Sequence, residues 1–227
     1  MKYFIANWKS NHDINSTKIY FEHLNTLFIS QQTKQQLNEI IIAPPFNLLN
    51  LSQKLIEQKK LNIKLATQNL SPYQKGAFTG EIGIDNLNGL SVKYAILGHS
   101  ERRKIFLETS QLIAKKIILS LANNITPILC LDLDYLEEQA SFIPRELFSQ
   151  LIIAYEPLEA IGTGNNQDPL ITKKNLLKIR NVFGTLPILY GGSVNPKNIS
   201  DYLTMADGVL IGGSSLDPNI FFQLINS

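Results

Sequence analysis

Eight short apolar segments recur along the chain, and they constrain its fold more than any other feature of the sequence. Most of these segments are continuous runs of apolar residues and do not alternate apolar with polar positions. This is expected for strands that are buried on both faces because helices cover the sheet. They comprise residues 3–6, 40–43, 63–66, 94–97, 128–131, 151–155, 188–190 and 209–211. The sequence therefore predicts a sheet that is mainly parallel.

Helical patterns separate these segments. Between Leu112 and Leu121 the apolar residues recur at intervals of three and four, and Ser110 is a candidate N-cap for that helix. Eight strand and helix units in 227 residues average about 28 residues each, which suits a compact (β/α)8 barrel with parallel strands. No linker or low-complexity segment interrupts the series, so we expect one domain over residues 1–227.

The fifth unit is expected to be shortened. Between Leu131 and Leu151 the sequence offers only the charged stretch at residues 136–138 before Pro144, and a proline ends a helix.

Composition excludes several classes of partner. A net charge of +2 gives no broad basic field for nucleic acid or anionic lipid.

The first apolar segment is too brief for a signal peptide, and no apolar run reaches membrane-spanning length, so we expect a cytoplasmic protein. The single cysteine, Cys130, lies within an apolar segment and is expected to be a buried, unreactive thiol.

Polar residues follow several of the predicted strands directly. The carboxyl ends of barrel strands meet at one mouth, where catalytic groups lie. The polar and glycine positions at these ends are Asn7, Lys9, His99, Glu101, Glu156, Ser193, Gly212 and Gly213. Taken singly, each has an ordinary structural explanation: a strand-end histidine is more often structural, and an asparagine there often satisfies backbone groups.

Seven stretches, taken together and in order, resemble the motifs of the triosephosphate isomerase family. They are ANWK, ATQN, GAFTGE, LGHSERR, AYEPLEAIGTG, YGGSV and VLIGGSSL, and they extend over nearly the whole chain. The resemblance implies an isomerase of glycolysis and gluconeogenesis that interconverts dihydroxyacetone phosphate and D-glyceraldehyde 3-phosphate through an enediolate. It implies neither a cofactor nor a metal.

The resemblance also implies the catalytic roles. Glu156 is the base, and His99 polarises the substrate carbonyl as a neutral imidazole, a pairing established for this family. Lys9 supplies a positive charge beside the enediolate and the phosphate, and Asn7 donates a second hydrogen bond to the substrate oxygen. Glu101 orients Lys9, although a plain surface ion pair between the two remains an alternative.

Backbone N–H groups are expected to hold the phosphate, because glycine permits close approach. The matching positions are Gly162, Ser193, Gly212 and Gly213, with Asn7 and Lys9 also at the substrate. Residues 157–164 resemble a lid that closes over the substrate and excludes water. Thr79 resembles the tip of a loop that inserts into a second subunit, which implies a homodimer.

Three departures from the family pattern concern the lid and its surroundings. Glu159 replaces a tryptophan, residues 165–167 (Asn-Asn-Gln) replace a Lys-Thr-Ala-like triplet, and Leu133 replaces a glutamate after the fifth strand. We interpret these as one coupled change that alters the open lid and lowers turnover. Non-additive effects of Glu159→Trp and Leu133→Glu on turnover are the expected signature.

The residues disfavour two other functions and leave a third as the alternative. A different phosphate-binding barrel isomerase, acting on a pentulose or an amino-sugar phosphate, is disfavoured by the set Asn7, Lys9, His99 and Glu156. A metal-dependent aldolase is disfavoured because His12 and His23 lie outside any histidine-rich cluster. A catalytically weakened barrel that serves as a binding or scaffold protein remains the alternative.

Overall fold

The chain forms a closed barrel of eight parallel strands, each paired with its neighbours in sequence order, and β1 pairs with β8 to close the ring. The structure is a computed structural model, and it describes residues 1–30, 38–157 and 166–227. The strands are β1 Tyr3–Asn7, β2 Glu39–Ala43, β3 Lys64–Thr67, β4 Val92–Leu97, β5 Thr126–Leu131, β6 Ile152–Tyr155, β7 Ile188–Tyr190 and β8 Gly208–Ile211. The predicted (β/α)8 barrel is confirmed, with strand bounds that shift by one or two residues.

Among the described residues, α-helices lie in every connection except that between β3 and β4, which has only a 3₁₀ turn, and these helices cover the outside of the barrel. Those within the described ranges are α1 Ile14–Ser30, α2 Leu49–Gln58, α3 Ser100–Ile105, α4 Ser110–Ala122, α5 Leu136–Ser141, α6 Pro169–Phe183, α7 Ile199–Leu203 and α8 Pro218–Ile225. Short 3₁₀ turns lie at Phe46–Leu48, Ile84–Leu87, Leu133–Tyr135, Arg145–Gln150 and Gly213–Ser215.

Two apolar layers, one inside the barrel and one between the barrel and the helices, explain why the strands are continuous runs of apolar residues. Alternate strand residues point into the barrel, while the others pack against the helices. The inward set is Ile5, Ile41, Ala43, Ala66, Ile96, Ile128, Cys130, Ile152, Ala154, Leu189 and Leu210. Both faces of each strand are therefore buried, which removes the alternation that a half-exposed strand shows.

The cap of α4 differs from the prediction. Thr109, not Ser110, is the N-cap, and its hydroxyl accepts a hydrogen bond from the Leu112 N–H at 3.2 Å. Ser110 is the first residue of the helix, and its hydroxyl lies 3.4 Å from Nη1 of Arg103. The sequence offers two adjacent hydroxyl residues, and the tertiary contact to Arg103 engages the second of them.

The fifth connection is short, as the sequence predicts. α5 spans six residues and ends before Pro144. Beneath it, the buried Arg103 guanidinium donates to the carbonyl oxygens of Gly98 at 2.9 Å and Cys130 at 3.3 Å, and to Oε1 of Gln139 at 2.8 Å. Its guanidinium carbon lies 4.6 Å from the ring centroid of Tyr135. One side chain from α3 thus ties β4 and β5 to the short connection.

None of the helices in the described ranges combines the length and the apolar character that crossing a membrane requires.

Candidate active site

A cavity of about 280 Å³ opens at the carboxyl ends of the strands. Residues that follow β1, β4, β6, β7 and β8 line it, namely Asn7, Lys9, His99, Glu156, Gly191, Gly192, Ser193, Val194, Asn195, Leu210, Gly212, Gly213 and Ser214. Most of the polar residues predicted to converge therefore do so around one space. Glu101 lies just outside this lining and contacts Lys9.

Glu156 follows β6 and is only 2% exposed. Its main-chain N–H donates to the Leu131 carbonyl at 2.9 Å, which fixes the residue against the end of β5. One carboxylate oxygen, Oε2, accepts the Ser100 N–H at 3.0 Å, and the other, Oε1, lies 3.1 Å from Nε2 of His99. Both oxygens are thus held in place while the group faces the cavity.

His99 is the N-cap of α3, and this position orients its ring. Nδ1 accepts the N–H of Glu101 at 3.2 Å, so that nitrogen carries no proton. The Glu101 carboxylate lies 3.6 Å from Nδ1, beyond hydrogen-bond range. The geometry therefore places a ring proton on Nε2, and that N–H points toward Glu156 and the cavity.

Lys9 is held in a left-handed backbone conformation with φ of 51°. Its N–H donates to Oδ1 of Asn7 at 3.1 Å, and its carbonyl accepts from Nε2 of Gln68 at 2.8 Å. The ammonium lies 2.5 Å from Oε1 of Glu101. These contacts point the cation along the wall of the cavity, with a carboxylate beside it.

Asn7 is the last residue of β1 and is buried. Because its Oδ1 already accepts from Lys9, its NH₂ group is the part of the amide left to donate to a ligand.

Two residues with clear roles in this geometry were missed by the sequence analysis. Gln68 donates to both Lys9 and Ala43, each at 2.8 Å, and thereby fixes the backbone of Lys9. Ser100 supplies the N–H that holds Glu156. Both residues lie inside the quoted stretches ATQN and LGHSERR, so their motif position was the available signal.

Glycines and Ser193 form another part of the cavity lining. Gly191 donates its N–H to the Tyr155 carbonyl at 2.7 Å, and a Cβ on Gly191 would lie 3.1 Å from Cγ of Glu156. Gly213 begins the 3₁₀ turn Gly213–Ser215, whose first N–H groups have no partner within the turn. Ser193 and Gly212 line the same part of the cavity.

Several predicted positions fall outside the described residues. Gly162, Glu159 and Asn165 belong to this group, as does most of the segment 157–164. The hypothesis that couples Glu159 to Leu133 therefore stays a prediction.

A second cavity, of about 480 Å³, adjoins the first and shares Asn7, Lys9 and His99 with it. Its rim carries the apolar rings of Phe46 and Phe106, which are 39% and 61% exposed. Thr79 is exposed on the nearby loop and lines neither cavity. On the same loop Tyr73 and Phe78 stack with centroids 4.0 Å apart.

Cys130 is fully buried, as predicted. Burial raises the pKa of its thiol well above the usual range, and the neighbouring Glu156 carboxylate raises it further. The thiol is therefore protonated and unreactive at neutral pH.

His12 and His23 lie away from the cavity lining, and His12 packs against Trp8 with ring centroids 4.4 Å apart. The described part of the chain contains no cluster of three or more His, Cys, Asp or Glu side chains able to hold a metal ion.

Comparison with known proteins gives one consistent family. The sequence model of the family described as triosephosphate isomerase matches residues 2–227. A protein named triosephosphate isomerase from Mesomycoplasma hyopneumoniae (strain 7448) is 37% identical, covering 100% of this chain and 99% of the relative. Proteins of the same name from Aquifex aeolicus (strain VF5) and Clostridium botulinum (strain Eklund 17B / Type B) are 37% and 34% identical. Those alignments cover 98% and 97% of this chain, and 97% of each relative.

Proposed function

The chain belongs to the triosephosphate isomerase family, and from that premise we propose that it interconverts dihydroxyacetone phosphate and D-glyceraldehyde 3-phosphate, a step of glycolysis and gluconeogenesis. The observation that carries this proposal is the 3.1 Å approach of His99 Nε2 to Glu156 Oε1 at a glycine-lined cavity. A carboxylate and a neutral imidazole so placed form the acid and base pair that an enediolate reaction needs.

Glu156 acts as the base. Its Oε1 removes a proton from the substrate carbon beside the carbonyl, and the electron pair of that C–H bond forms the carbon–carbon double bond of the enediolate. The same carboxylate then returns the proton to the adjacent carbon. The Ser100 N–H holds the other oxygen by a hydrogen bond, so the carboxylate keeps its orientation during both proton transfers.

His99 and Asn7 serve the substrate oxygens. As substrate enters, the Nε2–H of His99 donates to the carbonyl oxygen that becomes negative, and the Asn7 amide donates beside it. The Lys9 ammonium adds a fixed positive charge at short range. Because the imidazole is neutral, it stabilises the oxyanion by hydrogen bonding and can pass a proton between the two substrate oxygens.

Main-chain N–H groups of Ser193, Gly212 and Gly213 hold the phosphate, with Gly162 as a further donor. Gly212 lies beside Lys9, since a Cβ on Gly212 would be 3.4 Å from Cε of Lys9, an ordinary contact distance. The phosphate and the Lys9 ammonium are then neighbours, which favours a doubly charged substrate.

A coupled assay tests the function. Purified protein is given D-glyceraldehyde 3-phosphate, and the dihydroxyacetone phosphate formed is followed by NADH oxidation with glycerol-3-phosphate dehydrogenase. We expect turnover in the parent and at least about 1000-fold less in Glu156→Gln, which removes the base. The reaction should also be insensitive to chelators. Tight binding of 2-phosphoglycolate without turnover would overturn the proposal in favour of a binding protein.

We also infer that the chain works as a homodimer. The exposed Phe46 and Phe106 rings border the second cavity, and the loop that carries Thr79 offers a segment to fill the same cavity on another copy. Thr79→Arg should convert a dimer to a monomer in light scattering and lower activity, whereas Thr204→Arg on an exposed site elsewhere should do neither. A monomeric parent with full activity would contradict this inference.

One domain over residues 1–227 and a cytoplasmic location complete the proposal. Pairing of β1 with β8 joins the two ends of the chain in one barrel, which supports the single domain. The lone buried cysteine suits a reducing compartment.

A further inference from the structure

A buried polar cluster lies behind Glu156, and the mechanism above does not use it. Its members lie on β6, β7, α6 and α7, together with Gln167, which precedes Asp168; Asp168 is the N-cap of α6. We call it the Gln167 cluster, and it consists of Tyr155, Gln167, Thr172, Asn175, Tyr190 and Tyr202. All six residues are at most 7% exposed.

The side chain of Gln167 is the acceptor at the centre of this cluster. Its Oε1 lies within hydrogen-bond distance of the Thr172 hydroxyl at 3.1 Å, the Tyr155 hydroxyl at 3.2 Å and Nδ2 of Asn175 at 3.4 Å. Asn175 also donates to the Tyr155 hydroxyl at 2.9 Å. One amide oxygen thus connects β6 to two positions on α6.

The main chain of Gln167 is held from both sides. Its N–H donates to the Tyr190 hydroxyl at 3.1 Å, and its carbonyl accepts from the Tyr202 hydroxyl at 2.5 Å. The rings of Tyr190 and Tyr202 stack in parallel with centroids 3.8 Å apart. Tyr202 therefore fixes Gln167 directly and, through the stacked ring, supports Tyr190.

Both tyrosines contacted by Gln167 lie next to the candidate active site. Tyr155 immediately precedes Glu156, and its carbonyl receives the Gly191 N–H. Tyr190 immediately precedes Gly191, and its ring folds back so closely that a Cβ on Gly192 would overlap its hydroxyl. The cluster thus holds the chain at the residue before Glu156 and at the residue before the glycine turn 191–193.

Burial gives these contacts their weight. A buried polar group loses its hydration and must be paired, and a fully paired network fixes its members in one arrangement. Gln167 is one of the three positions where the chain departs from the family's Lys-Thr-Ala-like triplet, so this network accounts for a departure that the mechanism leaves unexplained.

We propose that Gln167 and Tyr202 are positioning residues that fix Glu156 relative to the glycine turn 191–193. The Gln167 side chain acts on Glu156 through Tyr155, and the Tyr202 hydroxyl acts on the glycine turn through Gln167 and Tyr190. This assignment rests on the proposed function, since it gives Glu156 the role of base and the glycine turn the role of phosphate site.

Two single-group substitutions separate the two arms. Gln167→Met removes the side-chain acceptor and keeps the main-chain bond to Tyr190, so we expect kcat to fall about 10-fold while KM stays within about twofold. Tyr202→Phe removes the hydroxyl and keeps the stacked ring, so we expect KM, and the Kd for inorganic phosphate measured by calorimetry, to rise about 3- to 10-fold. Thr172→Val removes one donor to Oε1 and should lower kcat by about threefold, which supplies a second test if Gln167→Met fails to fold.

Tyr94→Phe is the matched control. Its hydroxyl also bonds a side chain, Oε1 of Glu39 at 2.8 Å, but it lies toward the opposite end of the barrel. This variant should leave kcat, KM and phosphate affinity unchanged.

The proposal is overturned if Gln167→Met and Tyr202→Phe keep parental kcat and KM. It is also overturned if the fall in kcat of Gln167→Met disappears once rates are normalised to the concentration of folded protein, because a general loss of folded protein lowers the apparent kcat and leaves KM unchanged. A parent without isomerase activity would instead reject the proposed function. Phosphate calorimetry on Tyr202→Phe would still test the link to the glycine turn in that case.

Discussion

Nε2 of His99 lies 3.1 Å from Oε1 of Glu156, although an entire strand, β5, separates the two strands that carry them. The closure of the barrel produces this approach, because every strand directs its carboxyl end to the same mouth. The Ser100 N–H holds the second oxygen, so the carboxylate has little freedom to move away from the imidazole.

Glu156→Asp tests how far this geometry matters. The substitution keeps the charge but withdraws the carboxylate by one methylene group, about 1 Å or slightly more, and a misplacement of that size costs about 100-fold in rate. We expect kcat to fall by about that factor with little change in KM, measured by the coupled assay. Glu146→Asp, at an exposed site on the fifth connection, is the control and should match the parent. A kcat for Glu156→Asp within fivefold of the parental value would contradict direct proton transfer by this residue.

Glu101→Gln tests whether the partner of Lys9 does more than orient it. The two side chains are 30% and 41% exposed, so solvent screening limits the energy of their ion pair. We expect kcat/KM to fall about two- to fivefold, and the deficit to shrink at 0.5 M salt as screening increases. Glu22→Gln removes the carboxylate from a similar pair with Lys59 and should have no effect. A loss above 100-fold would indicate that Glu101 takes part in the chemistry.

His12→Asn tests a pH dependence of stability. Burial against Trp8 lowers the pKa of His12, although Asp13 opposes part of that shift, so the ring stays neutral in the folded protein at pH values where the unfolded chain binds a proton. Proton uptake by the unfolded state therefore removes stability as the pH falls below about 6.5. Asparagine tolerates the left-handed φ of 65° at this position and does not titrate.

Urea unfolding at pH 7.5 and pH 5.0 should show a larger loss of unfolding free energy in the parent than in His12→Asn. His23→Asn, at an exposed site on α1, should behave like the parent. Equal losses in the parent and in His12→Asn would rule out His12 as the source.

Lys116→Met tests a buried ion pair. Lys116 is 2% exposed, and its ammonium lies 2.5 Å from Oε1 of Glu108 and 2.8 Å from Oδ1 of Asn69. Its removal leaves Glu108 buried with Arg102 as its remaining ion-pair partner in the described residues. We expect urea unfolding to show a loss of about 3 kcal/mol.

The control for this loss is Lys59→Met, which breaks a pair whose glutamate is exposed and should cost less than about 1 kcal/mol. Adding Glu108→Gln to Lys116→Met should recover part of the stability, because the buried charge that has lost its ammonium partner is then gone. Equal costs for Lys116→Met and Lys59→Met would show that burial adds nothing to the Lys116 pair.

The sequence alone predicts the barrel well, because its main signals are local. An unbroken apolar run marks a strand covered on both faces, and Pro144 marks the end of the short α5. The wall residues Asn7, Lys9, His99 and Glu156 were predicted from motif order, and the geometry brings all four to one cavity.

Local sequence signals do not predict contacts between segments that are distant in the chain. Gln68 supports Lys9 from the end of β3, and nothing in the periodicity of either segment indicates the pairing. Gln167 was interpreted only as part of a departure that concerns the lid. In the structure its side chain and main chain enter a polar cluster built from four separate elements. Ser110 was predicted as the N-cap of α4, but its hydroxyl contacts Arg103 and the neighbouring Thr109 caps the helix.

Arg103 carries a wider consequence for this protein. A helix outside the barrel normally shields the strand ends and anchors the return of the chain, but here three hydrogen bonds from one guanidinium bridge the span that α5 leaves thin. The ends of β4 and β5 are thus supported by a buried arginine side chain beneath the short connection. The ends of β4 and β5 therefore keep a shared anchor beside Leu131, whose carbonyl accepts the Glu156 N–H, although the outer helix there is only six residues long.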